Sequence, residues 1–93
     1  MPVVVVNEIK GWDQDLYDEV NPKVMPGGLA EGCHVHIAGP VEGGWRVITV
    51  WESEERFQQF RDETLIPAMR EAGAEDRIAP SISTNPVHNL ITA

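Results

Sequence analysis

The pattern of hydrophobic positions changes its period within one stretch of the chain, Trp45 to Phe60. Its first half is rich in β-branched residues and alternates bulky with aliphatic side chains, which is typical of a strand covered on both faces. Ser53 can then cap a helix with its hydroxyl, and the glutamates that follow lie at the positive end of the helix dipole. Phe57 and Phe60 recur at helical spacing. The stretch predicts a strand that turns directly into an amphipathic helix.

The chain before this stretch predicts a strand, a helix and a second strand. Val3 to Ile9 is almost continuously β-branched, which favours a central strand buried on both sides. Asp13 can cap the helix that follows. The inward face of that helix is formed by Leu16, Tyr17, Val20 and Val24. Cys33 to Ala38 alternates in the manner of a strand, and residues 39–44 form the predicted hairpin loop before Trp45.

The chain after this stretch predicts the rest of the second helix and a last strand. We expect the helix to run to about Ala72, with Gly73 as its C-terminal stop. Pro67 lacks an N–H and crowds the preceding turn, which predicts a kink or a fresh start near Thr64. The apolar segment Val87 to Ile91 is interpreted as the fourth strand. The order β-α-β-β-α-β is that of the ferredoxin-like α+β fold, a four-stranded antiparallel sheet with both helices on one face.

The hairpin predicts which side chains share a face of the sheet. We place Ala38 opposite Trp45. The face suited to receive the helices then carries Cys33, Val35, Ile37, Ile48 and Val50. The other face carries His34, His36, Trp45, Thr49 and Trp51. Because monomers seldom leave such an aromatic face in water, we expect two sheets to pack face to face as a homodimer, with a pocket between them.

Composition and charge narrow the class of protein. At 93 residues the chain is expected to form one domain, 1–93, because a second hydrophobic core would need more residues. A formal net charge of −8 argues against nucleic acid and anionic membranes as partners. Cys33 is the only cysteine, so no intrachain disulfide can form. Val3 to Val6 is too short for the core of a signal peptide, and we expect a cytoplasmic location.

The segment from the third strand into the second helix resembles a known superfamily. Its residues are Trp51-Glu52-Ser53-Glu54, then Phe57 and Phe60, then Pro67 with an Ala-Met-Arg-Glu turn and Gly73. This arrangement is similar to the dimeric α+β barrel proteins, particularly the antibiotic-biosynthesis-monooxygenase-like branch. The resemblance implies a homodimer with one pocket per subunit, either between the sheet and the helices or within the barrel. It implies no single activity, because the superfamily includes cofactor-free oxygenases, haem-degrading enzymes, isomerases and lyases.

A few residues can be compared with positions of functional importance in that superfamily. Asn7 lies in the first strand, where haem-degrading and some cofactor-free members have a pocket Asn. Phe60 occupies the position of a helical Trp in those members. The haem-degrading pattern also has an axial His late in the second helix, where this chain has Arg70. The resemblance therefore implies an Asn in the pocket, and we expect no cofactor.

His34 and His36 are the candidates for acid–base chemistry, because residues two apart in a strand point the same way and imidazole titrates near neutral pH. Alternatively, one imidazole faces a hydrated interior and the other faces solvent. A metal site would need a third ligand, for which His88 is the only histidine left, and we expect no metal. His88 can equally shape a pocket or a dimer edge.

The remaining candidates have equally plausible structural roles. Tyr17 could donate a hydrogen bond to a ligand or be a half-buried core residue. Trp45 and Trp51 are more often core or interface residues than a stacking platform. Cys33 is interpreted as a buried, inert thiol.

Three functions remain open. The first is a homodimeric barrel that acts as a cofactor-independent monooxygenase on an aromatic or polyketide-like metabolite, with His36 or His34 as the base and Asn7 holding the developing anion. The second is a cofactor-free cyclase, isomerase or lyase, and the third is a ligand-binding or structural dimer without turnover. In each case the expected pocket residues are Tyr17, Trp45, Thr49, Trp51, Phe57, Phe60 and His88.

Overall fold

Four strands form one antiparallel sheet with the order β2-β3-β1-β4. The computed structural model describes residues 1–73 and 82–93. The strands are β1 Val3–Lys10, β2 Cys33–Val41, β3 Gly44–Trp51 and β4 Ile82–Pro86. The helices are α1 Gln14–Val24, α2 Glu54–Phe60 and α3 Ile66–Glu71, with a π-helical turn, Arg61–Leu65, between the last two. The predicted β-α-β-β-α-β plan is confirmed, with β1 as a central strand.

The helices begin where their capping residues predict. Asp13 accepts a hydrogen bond from the Leu16 backbone N–H at 3.0 Å, and Ser53 accepts one from the Arg56 N–H at 3.1 Å. Pro67 does not break the second helix. Instead, the Ile66 N–H donates to the Arg61 carbonyl, so the chain widens into the π-helical turn just before the proline and then continues. The irregularity predicted near Thr64 is this turn, after which α3 begins at Ile66.

The fourth strand lies earlier than the sequence indicates. It spans Ile82–Pro86 and pairs with β1, whereas Val87–Ile91 has no regular structure. The prediction was wrong because β4 is an edge strand, where Ser, Thr and Asn are tolerated on a face that meets solvent and Pro86 can end the ladder. The Val87 N–H donates to the Pro2 carbonyl at 2.9 Å, which holds the chain just beyond the strand.

The register of the hairpin also differs from the prediction. Ala38 lies opposite Val47, and Pro40 lies opposite Trp45. The strands continue through the predicted loop and meet at a tight turn, where Gly43 takes a φ of +77°. Gly and Pro residues are accommodated in β2 because it is an edge strand, so Pro40 does not interrupt the sheet.

The two faces of the sheet are reversed relative to the prediction. The helices cover the face that carries His36, Trp45, Val47, Thr49 and Trp51, whereas the opposite face carries Val4, Val6, Val35, Ile37 and Ile48. Trp51 is fully buried, and Ile37 is 56% exposed. The physical reason is area: large aromatic side chains gain most from burial under the helices, and aliphatic residues are left outside.

An irregularity at the start of β2 explains the position of His34. Cys33 lies opposite Trp51, and Val35 lies opposite Val50, so the ladder shifts between them and His34 is the extra residue. Cys33 therefore joins the core with Trp51, whereas Val35 faces the other way. The predicted grouping of Cys33 with Val35 was wrong because a bulge reverses the alternation of side chains.

Candidate functional site

A cavity lies between the sheet and the helices. Its volume is about 580 Å³, counting the part open to solvent. Its wall is apolar over most of its area and is formed by Val5, Asn7, Ile9, Trp12, Tyr17, Val20, Asn21, Val24, Met25, His36, Val47, Thr49, Phe57, Phe60, Leu65, Met69 and Ile82. The cavity is therefore formed within one subunit, between its own sheet and helices, and not by the packing of two aromatic sheet faces.

The periodicity of the elements explains which side chains reach the cavity. In β1, the alternate residues Val5, Asn7 and Ile9 face the helices, and Val47 and Thr49 do so in β3. In α1, helical spacing places Tyr17, Val20, Asn21 and Val24 on one side. Because α1 is capped at Asp13, its first inward turn brings Tyr17 over the sheet.

The shortest polar contact of the site joins Tyr17 to His36. The Tyr17 hydroxyl lies 2.5 Å from His36 Nε2, and the two ring centroids are 6.1 Å apart. Removal from solvent lowers the pKa of His36 below its usual 6.5. Removal from solvent, with the charge of Asp18 as a smaller cause, raises the pKa of Tyr17 above its usual 10.0. At neutral pH the pair is therefore a phenol and a neutral imidazole.

The hydrogen-bond partners of this pair assign its protons. Because a phenol O–H is a stronger donor than a neutral imidazole N–H, we assign the Tyr17 O–H as the donor to the Nε2 lone pair. The ring proton of a neutral imidazole then lies on Nδ1. His36 Nδ1 is buried, and no residue within 1–73 and 82–93 accepts a hydrogen bond from it. One imidazole thus offers a basic nitrogen to Tyr17 and an unpartnered N–H on its other side.

The other polar side chains of the wall differ in how they are satisfied. Thr49 accepts a hydrogen bond from the Trp51 indole N–H at 2.9 Å. Asn7 is 7% exposed and has a partner of its own. The indole N–H of Trp12 is buried, and none of the described residues accepts from it. The polar residues of the wall therefore include satisfied groups, such as Thr49, and buried nitrogens without a described partner, in Trp12 and His36.

The structure brings together most of the residues proposed from the sequence. Asn7, Tyr17, His36, Thr49, Phe57 and Phe60 line one cavity. Trp45 and Trp51 do not line it: Trp45 packs behind Tyr17, with centroids 5.4 Å apart, and Trp51 packs behind Phe60, with centroids 4.7 Å apart. His34 lies exposed at the bulge, and His88 lies exposed after β4. The two histidines proposed as a pair in β2 are therefore separated.

Sequence reasoning missed several residues of the wall. Trp12 stands between the end of β1 and the cap of α1, where no periodicity predicts its direction. Asn21 follows Tyr17 by one helical turn, which is a signal that could have found it. Leu65 and Met69 reach the cavity from the π-helical turn and α3, and their direction depends on that turn.

The residues present do not fit a haem held by a histidine of the second helical segment. That segment contributes Phe57, Phe60, Leu65 and Met69 to the wall, and the imidazole on the wall comes from β2. Its Nε2 is already bonded to Tyr17. Over residues 1–73 and 82–93, no three His, Cys, Asp or Glu side chains are grouped as metal ligands.

In the described residues, 1–73 and 82–93, no helix has the length and apolar character needed to cross a membrane.

Comparison with solved structures confirms the fold anticipated from the sequence. A haem-degrading protein of Mycobacterium tuberculosis, in a haem-free form, is 23% identical, with 99% of this chain and 100% of that chain covered and a TM-score of 0.64. SnoaB of Streptomyces nogalater, a cofactor-independent oxygenase, is 12% identical over 99% of this chain and 98% of that chain, with a TM-score of 0.65. A protein of Chloroflexus aurantiacus named for antibiotic biosynthesis monooxygenases is 13% identical over 97% of both chains, with a TM-score of 0.65.

At these identities the likeness establishes the architecture. The chain has the ferredoxin-like α+β fold of antibiotic-biosynthesis-monooxygenase-like proteins. No family model matches the sequence, and no curated protein matches it.

Proposed function

We propose that this chain binds a small, largely apolar, aromatic or polyketide-like molecule in the cavity and oxidises it with molecular oxygen, without a cofactor. The position of the cavity, between the sheet and the helices, supports the binding part of the proposal. Its apolar wall with a few polar groups also fits such a ligand.

The observation that carries the catalytic part is the Tyr17–His36 pair. Because burial keeps His36 neutral, its Nε2 can accept a proton at neutral pH. Both residues line the cavity and are hydrogen-bonded to each other, so we propose that the Tyr17 hydroxyl relays the proton: Tyr17 takes a proton from the substrate as its own passes to Nε2. Asn7 is the proposed donor to the developing anion.

The proposed reaction balances without a bound cofactor. Deprotonation of an anthrone-type C–H gives an enolate, which transfers one electron to O2. The resulting carbon radical and superoxide combine into a peroxide anion. The peroxide takes back the proton held by the His36–Tyr17 pair, and loss of water leaves a new carbonyl. One O2 is consumed, one oxygen atom enters the product, and the other leaves as water.

The same pair also supports a second function. Proton transfer between substrate, Tyr17 and His36 requires no oxygen, so a cyclase, isomerase or lyase could use the identical geometry. A binding protein without turnover is the third possibility. The three functions differ in their need for oxygen and in their dependence on His36.

The test is oxygen uptake with anthrone as substrate. We expect uptake with the wild type and a rate at least about a hundredfold lower in His36→Gln, the scale of losing a general base. His34→Gln is the matched control, because it removes a histidine from the same strand but outside the cavity. Product formation that persists without oxygen would favour the proton-transfer enzyme. Unchanged rates in His36→Gln would overturn the catalytic proposal.

We also propose that two copies of this chain associate through the outer face of the sheet. The uncovered face presents Val4, Val6, Val35, Ile37 and Ile48. Its aliphatic character, with Ile37 56% exposed, supports burial against a second copy. The expected homodimer therefore rests on aliphatic residues, and the tryptophans invoked from the sequence are already covered by the subunit's own helices.

A further inference from the structure

Tyr17 is the single tyrosine of the chain, and its hydroxyl is held against a base. The hydroxyl oxygen lies 2.5 Å from His36 Nε2, and both residues line the cavity. Burial lowers the pKa of His36, so the imidazole is neutral at neutral pH and Nε2 has a free lone pair for a proton. The phenol therefore faces a proton acceptor across one short hydrogen bond.

A hydrogen-bonded base changes how a phenol is oxidised. Loss of an electron makes the phenol O–H strongly acidic, so the electron leaves readily only where the proton has an acceptor. A base already in contact takes the proton in the same step, and the charged phenol radical does not form. The products are a neutral tyrosyl radical and an imidazolium.

The neighbouring Trp45 lacks such a base. Its ring packs behind Tyr17, with centroids 5.4 Å apart, which is close enough for an electron to pass between them. Trp45 is 8% exposed, and none of the described residues accepts a hydrogen bond from its indole N–H. An oxidised Trp45 would keep a positive charge where little water reaches it, which is unfavourable. Oxidation of either ring is therefore expected to end on Tyr17.

We infer that Tyr17 is a redox-active residue, which gives one electron to an oxidant in the cavity while its hydroxyl proton passes to His36 Nε2. The oxidant class that fits an apolar wall is an organic peroxyl radical. The peroxyl radical takes the electron and becomes a peroxide anion, which the imidazolium then protonates. The net change is the transfer of one hydrogen atom from Tyr17 to the peroxyl oxygen. A thiol restores the phenol by giving one hydrogen atom back.

This radical-quenching function goes beyond the proposed oxygenase. In the oxygenase the Tyr17–His36 pair moves a proton alone, whereas here an electron leaves Tyr17 as well. The two functions are measured separately, because oxygen uptake requires a substrate and oxidation of Tyr17 requires none.

Flash photolysis tests the inference on the full chain. A light pulse and a quencher generate tris(bipyridine)ruthenium(III), which oxidises the protein by one electron, and transient absorption distinguishes tyrosyl from tryptophan radicals. Because the chain has one tyrosine, every tyrosyl signal belongs to Tyr17. We expect the radical to form about a hundredfold faster in the wild type than in His36→Gln, the scale of losing a positioned base. The wild-type rate should not depend on buffer concentration, because His36 takes the proton.

Two matched variants serve as controls. His34→Gln removes an exposed histidine from the same strand, outside the cavity, and should leave the rate unchanged. Trp45→Phe removes the stacked indole but keeps the hydrogen bond between Tyr17 and His36, so the tyrosyl radical should persist. Peroxyl radicals from a water-soluble azo initiator should give the same tyrosyl signal in electron paramagnetic resonance of freeze-quenched wild type.

Several results would overturn the inference. Tryptophan radicals without a tyrosyl radical in the wild type would do so, even where His36→Gln does not fold. A wild-type rate that rises with buffer concentration would also do so, since the proton would then pass to solvent. A tyrosyl signal with ruthenium but none with the initiator would refute peroxyl radicals as the oxidant. Absence of oxygen uptake with an intact tyrosyl signal would overturn the proposed oxygenase alone.

Discussion

His36 shows how burial and a single neighbour set the chemistry of one residue. Removal from water lowers the pKa of the imidazole, and the Tyr17 hydroxyl occupies Nε2. His34, two positions earlier in the chain, is exposed and lies outside the cavity. Two histidines that look equivalent in the sequence therefore differ in their surroundings, because His36 lines the cavity and His34 does not.

The lowered pKa of His36 predicts how the rate depends on pH. The base must be neutral, so oxygen uptake with anthrone should stay level as the pH falls towards 6.5 and decline only below it. A pH profile of the rate between about 8 and 5 measures the midpoint. A midpoint above 6.5 would contradict the burial of His36.

The same pKa shift predicts a change in stability. In the unfolded chain His36 takes up a proton near its usual pKa of about 6.5, whereas in the folded chain it does so only at lower pH. As the pH falls below 6.5, the unfolded state binds more protons, and the free energy of unfolding decreases.

Urea denaturation at a series of pH values checks this effect. The stability of the wild type relative to His36→Gln should decrease as the pH falls through 6.5, because the variant lacks this titration. A constant difference across the series would show that His36 titrates alike in both states.

Cys33 predicts slow reaction with thiol reagents. It is 7% exposed, and burial raises its pKa, with backbone hydrogen bonds of Val35 and Val50 as smaller, opposing influences. The raised pKa reduces the fraction of reactive thiolate, and the low exposure limits the access of reagents. Labelling by a disulfide reagent should be at least about a hundredfold slower in the folded protein than in urea, because reaction requires local opening. Equal rates would show that the thiol is accessible.

At the scale of elements, the caps and the π-helical turn have different origins. Ser53 acts through one hydrogen bond within its own turn, so the sequence alone locates the start of α2. The turn before Pro67 instead depends on how the chain relieves the missing N–H. A widened π-helical turn is one way to relieve it, and the capping signals of the sequence do not predict it. The widened turn is what brings Leu65 and Met69 to the same cavity.

The capping hydrogen bond of Ser53 predicts that its removal lowers the stability of the protein. Ser53→Ala removes the acceptor of the Arg56 N–H and should lower the free energy of unfolding by about 1 kcal/mol. Ser53→Asp is the control, because it retains an acceptor at the same position and should stay close to the wild type. Urea denaturation monitored by circular dichroism compares the three proteins. Equal stability of Ser53→Ala and wild type would contradict a capping role.

At the scale of the whole molecule, the outer sheet face has the greatest consequence. A chain of 93 residues buries a modest fraction of its surface, and here it leaves an aliphatic sheet face uncovered. Association of two copies would remove that face from water while leaving the cavity of each subunit intact on the other side of the sheet.

The proposed dimer predicts the effect of one charge. Ile37→Glu would place like charges within the interface and should shift the protein to a monomer in sedimentation velocity. Leu29→Glu is the matched control: Leu29 is 53% exposed, close to the 56% of Ile37, but lies in the loop between α1 and β2. It should leave the wild-type sedimentation unchanged. Sedimentation of the wild type as a monomer would refute the proposed interface.

The sequence by itself determined the order of the elements, the caps at Asp13 and Ser53, and the fold that they build. These depend on interactions within a few residues and on the period of the hydrophobic pattern, both of which are written along the chain. The burial of Cys33 also followed, although the bulge beside it did not.

Only the tertiary structure decided which face of the sheet the helices cover, and so where the cavity lies. Both faces are apolar, so the choice depends on the area that distant elements bury together, and the tryptophans outweigh the aliphatic residues. The contact of Tyr17 with His36 and the burial of Trp12 follow from that choice. No local pattern records them, because each joins residues from elements that meet only in the folded chain.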